Sequence, residues 1–380
     1  MTDVTARIQG VETPATLIEL EKLEANLKSM QRLADTNGVA LRPHAKTHKS
    51  IEIGARQIAL GACGLTVATI DEAIVFAREG KVGSITISRP IVSQQKFERL
   101  FAELRIVEVD LRIVVDSDRG IAAVSAAADK VGRQVGLFIK VDVGLHRCGV
   151  DPHSSQALEL ARQIERAPHL EFRGLLSHAG QAYAVTTRAE AGEIAEQERL
   201  TMLQVRDQLV SGGIAVAEIS VGSTPTVLAA TSFEGVIEIR PGNYVFFDLL
   251  PAKVGVASEA DASLSVLATV IGKNDEYFIT DAGSKTLTSD TGGHGMVGAQ
   301  GFGVAYPTDR YLSADHRMLV AGLSEEHGKL TRGDFDLEIG STVRIIPNHS
   351  CPVVNLAREL LILDETGLQS WPIDAACSSR

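Results

Sequence analysis

"ALRPHAKTHKS", Ala40 to Ser50, sets two lysines, two histidines and an arginine around the end of one short apolar run. A lysine just past a buried strand is partly dehydrated, and Arg42, His44, His48 and Lys49 add positive charge beside it. Both effects lower an ammonium pKa and expose a nucleophilic amine. Lys46 is the candidate for that amine. Lys49 competes with it, and a solvated basic turn accounts for the same residues. "VGSTPT", Val221 to Thr226, ends an apolar run in Gly-Ser-Thr, with Pro225 at the start of the next segment. Free N–H groups and hydroxyls at such a start make an anion site. Ser223 or Thr224 as an ordinary helix cap is the alternative. "RPGNY", Arg240 to Tyr244, supplies a second donor-rich loop shortly after. The two loops together favour a phosphorylated ligand.

Three further stretches carry reactive side chains. In "VDVGLHRCGV" the Arg147 fork is suited to a phenolate or carboxylate; a surface arginine is the plain reading. In "PNHSCPVVN" His349 and Cys351 are two apart. On a strand that spacing puts both on one face, and imidazole plus thiolate suits Zn²⁺. A buried thiol beside an incidental histidine explains the same residues. His327, in "SEEHGKL", follows two carboxylates and is either a base or a hairpin tip.

Those side chains need a scaffold. Eight short apolar runs read as strands: Val39–Arg42, Gly64–Ala68, Ser84–Ser88, Leu111–Asp116, Gly136–Asp142, Phe172–His178, Ala217–Val221 and Val236–Arg240. Between them lie segments of helical period, such as "GIAAVSAAADKVG", with glycine near several ends. Continuous apolar strands alternating with helices fit a parallel sheet buried on both faces, and the count and span fit a (β/α)8 barrel. The active site of that fold lies at the strand C-termini, where Lys46, Ser88-Arg89, Arg147, His178, Ser223 and Arg240 fall. After Phe247 the texture changes: "LSVLATVIG", "EYFITDAG", "HRMLVAGL", "STVRIIPNHS" and "ELLILDET" read as strands of a second, all-β domain.

Composition narrows the function. A chain of 380 residues, 44% hydrophobic, buries a large core and suits two domains. The net charge of −11 argues against nucleic acid as a partner. No apolar run is long enough to span a bilayer, and "MTDVTARIQG" has no apolar signal core. Cys63, Cys148, Cys351 and Cys377 are scattered and form no disulfide framework. The expectation is a soluble cytoplasmic protein with reduced thiols and no membrane partner.

"RPHAKTHKS", "VDVGLHRCGV", "GLLSHAGQAY", "SVGSTPT", "IEIRPGNYVFFD", "TDAGSK", "EEHG" and "PNHSCP" occur in this order. As an ordered set, spanning Thr13 to Pro372, they resemble the fold-type III pyridoxal-phosphate enzymes, specifically the D-threonine aldolase and D-serine dehydratase family, distant relatives of alanine racemase. The resemblance implies an α/β fold: a TIM-like (β/α)8 barrel over residues 13–247 that binds the cofactor, and a β domain from residues 1–12 and 248–380 that supplies a metal. It also implies a homodimer. Lys46 matches the Schiff-base lysine, and Arg147 the arginine on the cofactor's phenolic oxygen. His178 faces the ring, with Tyr183 beside it. Gly222, Ser223 and Thr224 match the phosphate cradle, joined by the backbone of Gly242 and Asn243, with Tyr244 near the phosphate. Arg240 falls where alanine racemases set an arginine against the pyridine nitrogen, a position at which many D-threonine aldolases lack one. His349 and Cys351 match the metal pair.

The pair also separates subgroups. Typical aldolases read H-x-D there, whereas the dehydratases of D-serine and D-threo-3-hydroxyaspartate read H-x-C. "VGSTPT" stands where those aldolases carry a "GGGTGS"-like loop. Both differences favour a dehydratase, and a thiolate favours zinc over Mn²⁺ or Mg²⁺. The implied reaction is β-elimination from a D-3-hydroxy amino acid to a 2-oxo acid and ammonia, with Lys46, His349 and Cys351 as catalytic residues. Retro-aldol cleavage to glycine and an aldehyde is the alternative. A racemase and a non-catalytic cofactor-binding protein are more remote readings.

Overall fold

The computed structural model describes residues 4–292 and 300–376; Cys377 lies outside them. All eight expected barrel strands are present. After β1 (Ala15–Glu19) come β2 (Ala40–Leu41), β3 (Leu65–Val67), β4 (Ser84–Ile87), β5 (Asp110–Val115), β6 (Val135–Lys140), β7 (Leu170–Leu176), β8 (Glu218–Val221) and β9 (Glu238–Ile239). They form one parallel sheet in the order β2-β9-β8-β7-β6-β5-β4-β3. A parallel bridge between His44 and Thr66 closes it into a barrel. β2 is short because Pro43 has no N–H for the ladder, yet pairing continues past it through His44 N–H to Pro241 O at 3.0 Å.

The helices between strands follow from local chemistry. In α6 (Asp118–Val131) the Ser117 hydroxyl accepts from Gly120 N–H at 3.3 Å, and Gly132 ends the helix at φ 63°. Ile121, Val124, Ala127 and Ala128 recur at helical spacing and are buried against the sheet. Such a cap is worth about 1 kcal/mol; burial of the apolar stripe supplies most of the rest. The carboxylates that open β5, β8 and β9 make the barrel floor charged: Glu238 pairs with Arg42 at 2.6 Å, and Glu218 and Asp110 with Arg112, each at 2.8 Å.

The second domain runs through β10 (Leu264–Lys273), β11 (Tyr277–Thr280), β12 (Gly303–Pro307), β13 (Met318–Leu323), β14 (Gly328–Thr331), β15 (Thr342–Pro347), β16 (Glu359–Asp364) and β17 (Gly367–Pro372). The sheet order is β11-β14-β13-β12-β15-β10-β1-β16-β17. A second pairing, β10 with β11, curls it back on itself.

β1 departs from the expected division at residue 13. It pairs antiparallel with β10 (Ala15 opposite Leu267) and parallel with β16 (Leu17 opposite Leu361). Residues 15–19 therefore sit with the β domain, and the barrel part begins at α2 (Leu20–Thr36). Among the described residues before β1 there is no strand either. Val4–Arg7 is a short helix, and Val4, Ile8 and Val11 pack on Leu17, Leu267 and Leu363. Among the described residues no helix is long and apolar enough to cross a membrane.

Candidate active site

A cavity of about 790 Å³ opens at the C-terminal ends of the barrel strands, in the size range of small-molecule sites. One wall is the barrel mouth and the other is α12 (Ser350–Leu356) of the β domain. Lys46, Arg147, His178, Tyr183, Gly222, Ser223, Thr224, Arg240, Gly242, Asn243, His349 and Cys351 all line it. The sequence places them up to 305 residues apart; the two-domain fold gathers them.

Lys46 lies in a single 3-10 turn, Ala45–Thr47, straight after β2. Burial, reinforced by Arg147, lowers its ammonium pKa, and Cys351 and Glu72 oppose this without restoring it. The other basic residues of that stretch take distinct parts. His44 Nδ1 accepts from the Lys46 N–H at 3.4 Å, so its proton sits on Nε2 and points to Ser88 Oγ, 3.0 Å away. Burial first, then Lys46, keeps His44 neutral. His48 is buried with its edge on Phe76, and burial pushes its pKa down to about 4. Lys49 is bound to Glu72 at 3.2 Å and is excluded as the reactive amine.

Gly222 turns the chain at φ 104°, a conformation only glycine adopts without strain. The following α9 (Thr224–Ala229) is fixed by Ser223 N–H to Thr226 Oγ1 at 2.8 Å. Gly242 passes so close to the lysine turn that a Cβ there would meet His44 Cβ and Thr47 Oγ1 at 3.0 Å. Asn243 Nδ2 donates to buried Asp248 at 2.5 Å, and Asp248 also accepts from Ser350 N–H at 2.8 Å. One carboxylate thereby ties the Gly242-Asn243 loop to the helix that bears Cys351. Arg240 is buried and donates to Ser220 Oγ and Ser177 O, across the ends of β7 and β8. Burial lowers its pKa to about 10. Tyr244 departs from its expected place. Its ring is buried in the core, its hydroxyl accepts from Gln57 Nε2 at 2.9 Å, and only its backbone N–H reaches Thr224 Oγ1, at 3.2 Å.

His349 and Cys351 converge, but not by strand alternation. β15 stops at Pro347; His349 caps α12 and Cys351 lies in its first turn, where Pro352 loses no hydrogen bond. His349 Nδ1 lies 2.8 Å from Asp290 Oδ2, leaving Nε2 available to a metal. Cys351 Sγ is 3.4 Å from Thr47 Oγ1, beside Lys46. Burial alone raises the Cys351 thiol pKa, yet His349 and Lys46 hold it below the ordinary value. Among the described residues no three His, Cys, Asp or Glu side chains form a metal cluster. His349 Nε2 and the Cys351 thiolate are the two donors that a divalent metal would find here. His327 is exposed at the turn between β13 and β14 and does not line the cavity.

Sequence reading missed Lys140, Asp290, Glu198 and Asp248. Lys140 ends an otherwise apolar strand, which was its one visible signal. It is 5% exposed, and its bond to Ser88 O is long, at 3.4 Å. Burial, with help from Arg240, Arg147 and Lys46, lowers its pKa to about 8. Glu198 reaches in from α8 (Arg188–Ser211), accepting from Ser177 Oγ at 2.6 Å and Gly222 N–H at 3.3 Å.

Residues 18–249 match the family model described as "Alanine racemase, N-terminal domain", and residues 263–363 that of "Putative serine dehydratase domain". The chain is 35% identical to D-threo-3-hydroxyaspartate dehydratase of Delftia sp. (strain HT23), over 90% of this chain and 91% of that one. The chain belongs to the D-threonine aldolase/D-serine dehydratase family. Another member, D-threonine aldolase of Arthrobacter sp., is 32% identical over 97% of this chain and 94% of its own length. A solved D-threo-3-hydroxyaspartate dehydratase, a cysteine-to-alanine mutant in the metal-free form, superposes with a TM-score of 0.89 at 32% identity, over 96% of this chain and 97% of that one. The cavity fits the family's cofactor, pyridoxal phosphate. Lys46, Lys140, Arg147 and Arg240 line it, none of them in an ion pair with a carboxylate among the described residues, and so match a ligand rich in anionic groups.

Proposed function

We propose that this chain is a lyase that eliminates the β-hydroxyl from D-3-hydroxy amino acids, giving a 2-oxo acid and ammonia. The observation that carries this reading is the His349–Cys351 pair facing Lys46 across one cavity, with Cys351 3.4 Å from Thr47, the residue next to the lysine. Similarity to dehydratases over nine-tenths of the chain supports it.

Lys46 would hold the cofactor covalently, and the loops at Gly222 to Thr224 and Gly242-Asn243 its phosphate. Arg147 would meet the phenolic oxygen, Arg240 the pyridine side and His178 the ring. When bound, the cofactor supplies an electron sink for charge at Cα. His349 and Cys351 would hold a divalent metal, with zinc favoured by the thiolate. Bound there, the metal would supply Lewis acidity toward the substrate's β-hydroxyl. The protein's own part is proton transfer and positioning. Lys46, an amine of lowered pKa, takes the proton from Cα. Neutral His44 fixes the lysine turn through its bond to the Lys46 N–H. Asp290 aims the His349 ring, and Asp248 locks the cofactor loop to the metal-bearing helix.

The deciding experiment incubates purified protein with D-serine, D-threonine and D-threo-3-hydroxyaspartate. Pyruvate, 2-oxobutyrate or oxaloacetate with ammonia is the expected outcome. Glycine with an aldehyde would replace this reading by the aldolase one, and inversion without metal dependence by a racemase.

A further inference from the structure

We propose that Arg89 is the specificity-determining residue for a second carboxylate, so that the preferred substrates are D-3-hydroxy dicarboxylic amino acids rather than D-serine or D-threonine. The proposal rests on the lyase reading above and names its substrate class.

The charges lining the cavity do not balance. Its cations are Lys46, Lys49, Arg89, Lys140, Arg147 and Arg240; its carboxylates are Glu72 and Asp290. Glu72 is taken by Lys49 at 3.2 Å, and Asp290 by His349 at 2.8 Å. Glu238 and Glu198 act on Arg240, and Glu72 on Lys46; Arg89, Lys140 and Arg147 form no ion pair with a carboxylate among the described residues. Depth sorts them. Lys140 and Arg240 are buried and Lys46 is half-buried, where a sequestered cofactor carries its charges. Arg89 and Arg147 are exposed at the mouth. With Arg147 assigned to the phenolic oxygen, Arg89 is the cation left over.

Its surroundings make it a receptor and not a stray surface group. Ser88, the residue before it, is anchored by its N–H to Val67 O at 2.9 Å and by Oγ to His44 Nε2 at 3.0 Å. His44 in turn accepts from the Lys46 N–H. Arg89 is therefore held one residue from a hydrogen bond whose far end fixes the reactive lysine. Pro90 follows and restricts the Arg89 backbone to extended conformations. The guanidinium itself makes no hydrogen bond or ion pair with any described residue. The backbone is fixed, and the fork has no partner among the described residues. A planar fork receives a carboxylate through two parallel hydrogen bonds, and Ala68, Thr69 and Pro90, which line the same cavity, carry no charge.

The test compares holoenzyme with Arg89→Met and Arg89→Lys, on D-threo-3-hydroxyaspartate against D-serine. The ratio of kcat/KM for the dicarboxylate over D-serine is expected to fall roughly 10- to 100-fold in Arg89→Met, mainly through KM, with part of the loss restored by Arg89→Lys. Equal losses on both substrates, or none on either, would overturn the proposal. D-Aspartate and D-alanine, which have no β-hydroxyl to eliminate, separate this result from failure of the lyase reading. Their binding, followed by the cofactor's visible absorption, should show the same selective loss in Arg89→Met even where no substrate is turned over. In Arg147→Met the two ligands should weaken together. A loss confined to D-aspartate there would move the role to Arg147 and overturn the assignment.

Discussion

Lys140→Met should stabilise the apoprotein. Lys140 is 5% exposed, with Lys46, Arg147, Arg240 and His44 around it and Cys148 partly offsetting them. Its pKa falls from an ordinary 10.5 to about 8. A lysine whose folded pKa is depressed binds fewer protons folded than unfolded between those two values, so stability is lost as pH drops through that window. The loss is complete below pH 8, where it amounts to about 3 kcal/mol, and has shrunk to about 1 kcal/mol at pH 10. Methionine has similar length, no charge, and gives up only the long bond to Ser88 O. Urea unfolding of cofactor-stripped protein at pH 7 and pH 10 reads the effect. The variant should be more stable by up to about 3 kcal/mol at the lower pH, with the gap closing at the higher. A variant less stable than the parent at pH 7, or an equal gap at both pH values, would refute the reasoning. The holoprotein should behave in the opposite sense, because an anionic cofactor turns the buried ammonium from a burden into a partner. Cofactor retention should weaken in the same variant.

Lys46→Ala should cut turnover by on the order of 10²–10⁴-fold or more and abolish the visible absorption of lysine-bound cofactor, both read on one purified sample. His349→Ala should lower the metal content measured by elemental analysis and cut activity more than about 10-fold while that absorption remains. Glu198→Ala strands Ser177 Oγ and Gly222 N–H without their acceptor and should cost about 1–3 kcal/mol in urea unfolding, with weaker cofactor retention. Burial raises the Glu198 pKa, so Glu198→Gln, which keeps one acceptor oxygen, should lose much less.

The barrel was legible because most of its strands are short apolar runs alternating with segments of helical period, a pattern set by burial on both faces; β5 and β7, which carry Arg112, Glu171 and Arg173, are the exceptions. β1 was not. "ATLIE" adjoins a strong helical pattern, and which sheet it joins depends on strands some 250 residues later, β10 and β16. β12, β14 and β17 are short and flanked by turns, so period alone does not single them out. Lys46, the glycine loops and the His349–Cys351 pair carried local signatures. Glu198 and Asp248 did not, because a buried carboxylate on a helix or loop looks like any surface acid until its partners are known. Cys351 shows a further limit: the pair was found for its chemistry, while the element that brings it together proved to be a helix start.

The position of β1 bears on how the chain is made. Its three central residues, Thr16 to Ile18, are buried, and its neighbours in the sheet, β10 and β16, are encoded far downstream, beyond the whole barrel. A ribosome emits this strand well before either partner, β10 or β16. During that interval the whole barrel can condense while β1 waits with both edges unsatisfied, a sticky apolar ribbon on a nascent chain. The protein's vulnerability to misassembly should therefore peak late in synthesis, just before β16 emerges. Truncations ending between β9 and β10 should yield a formed barrel with an exposed strand, prone to aggregate.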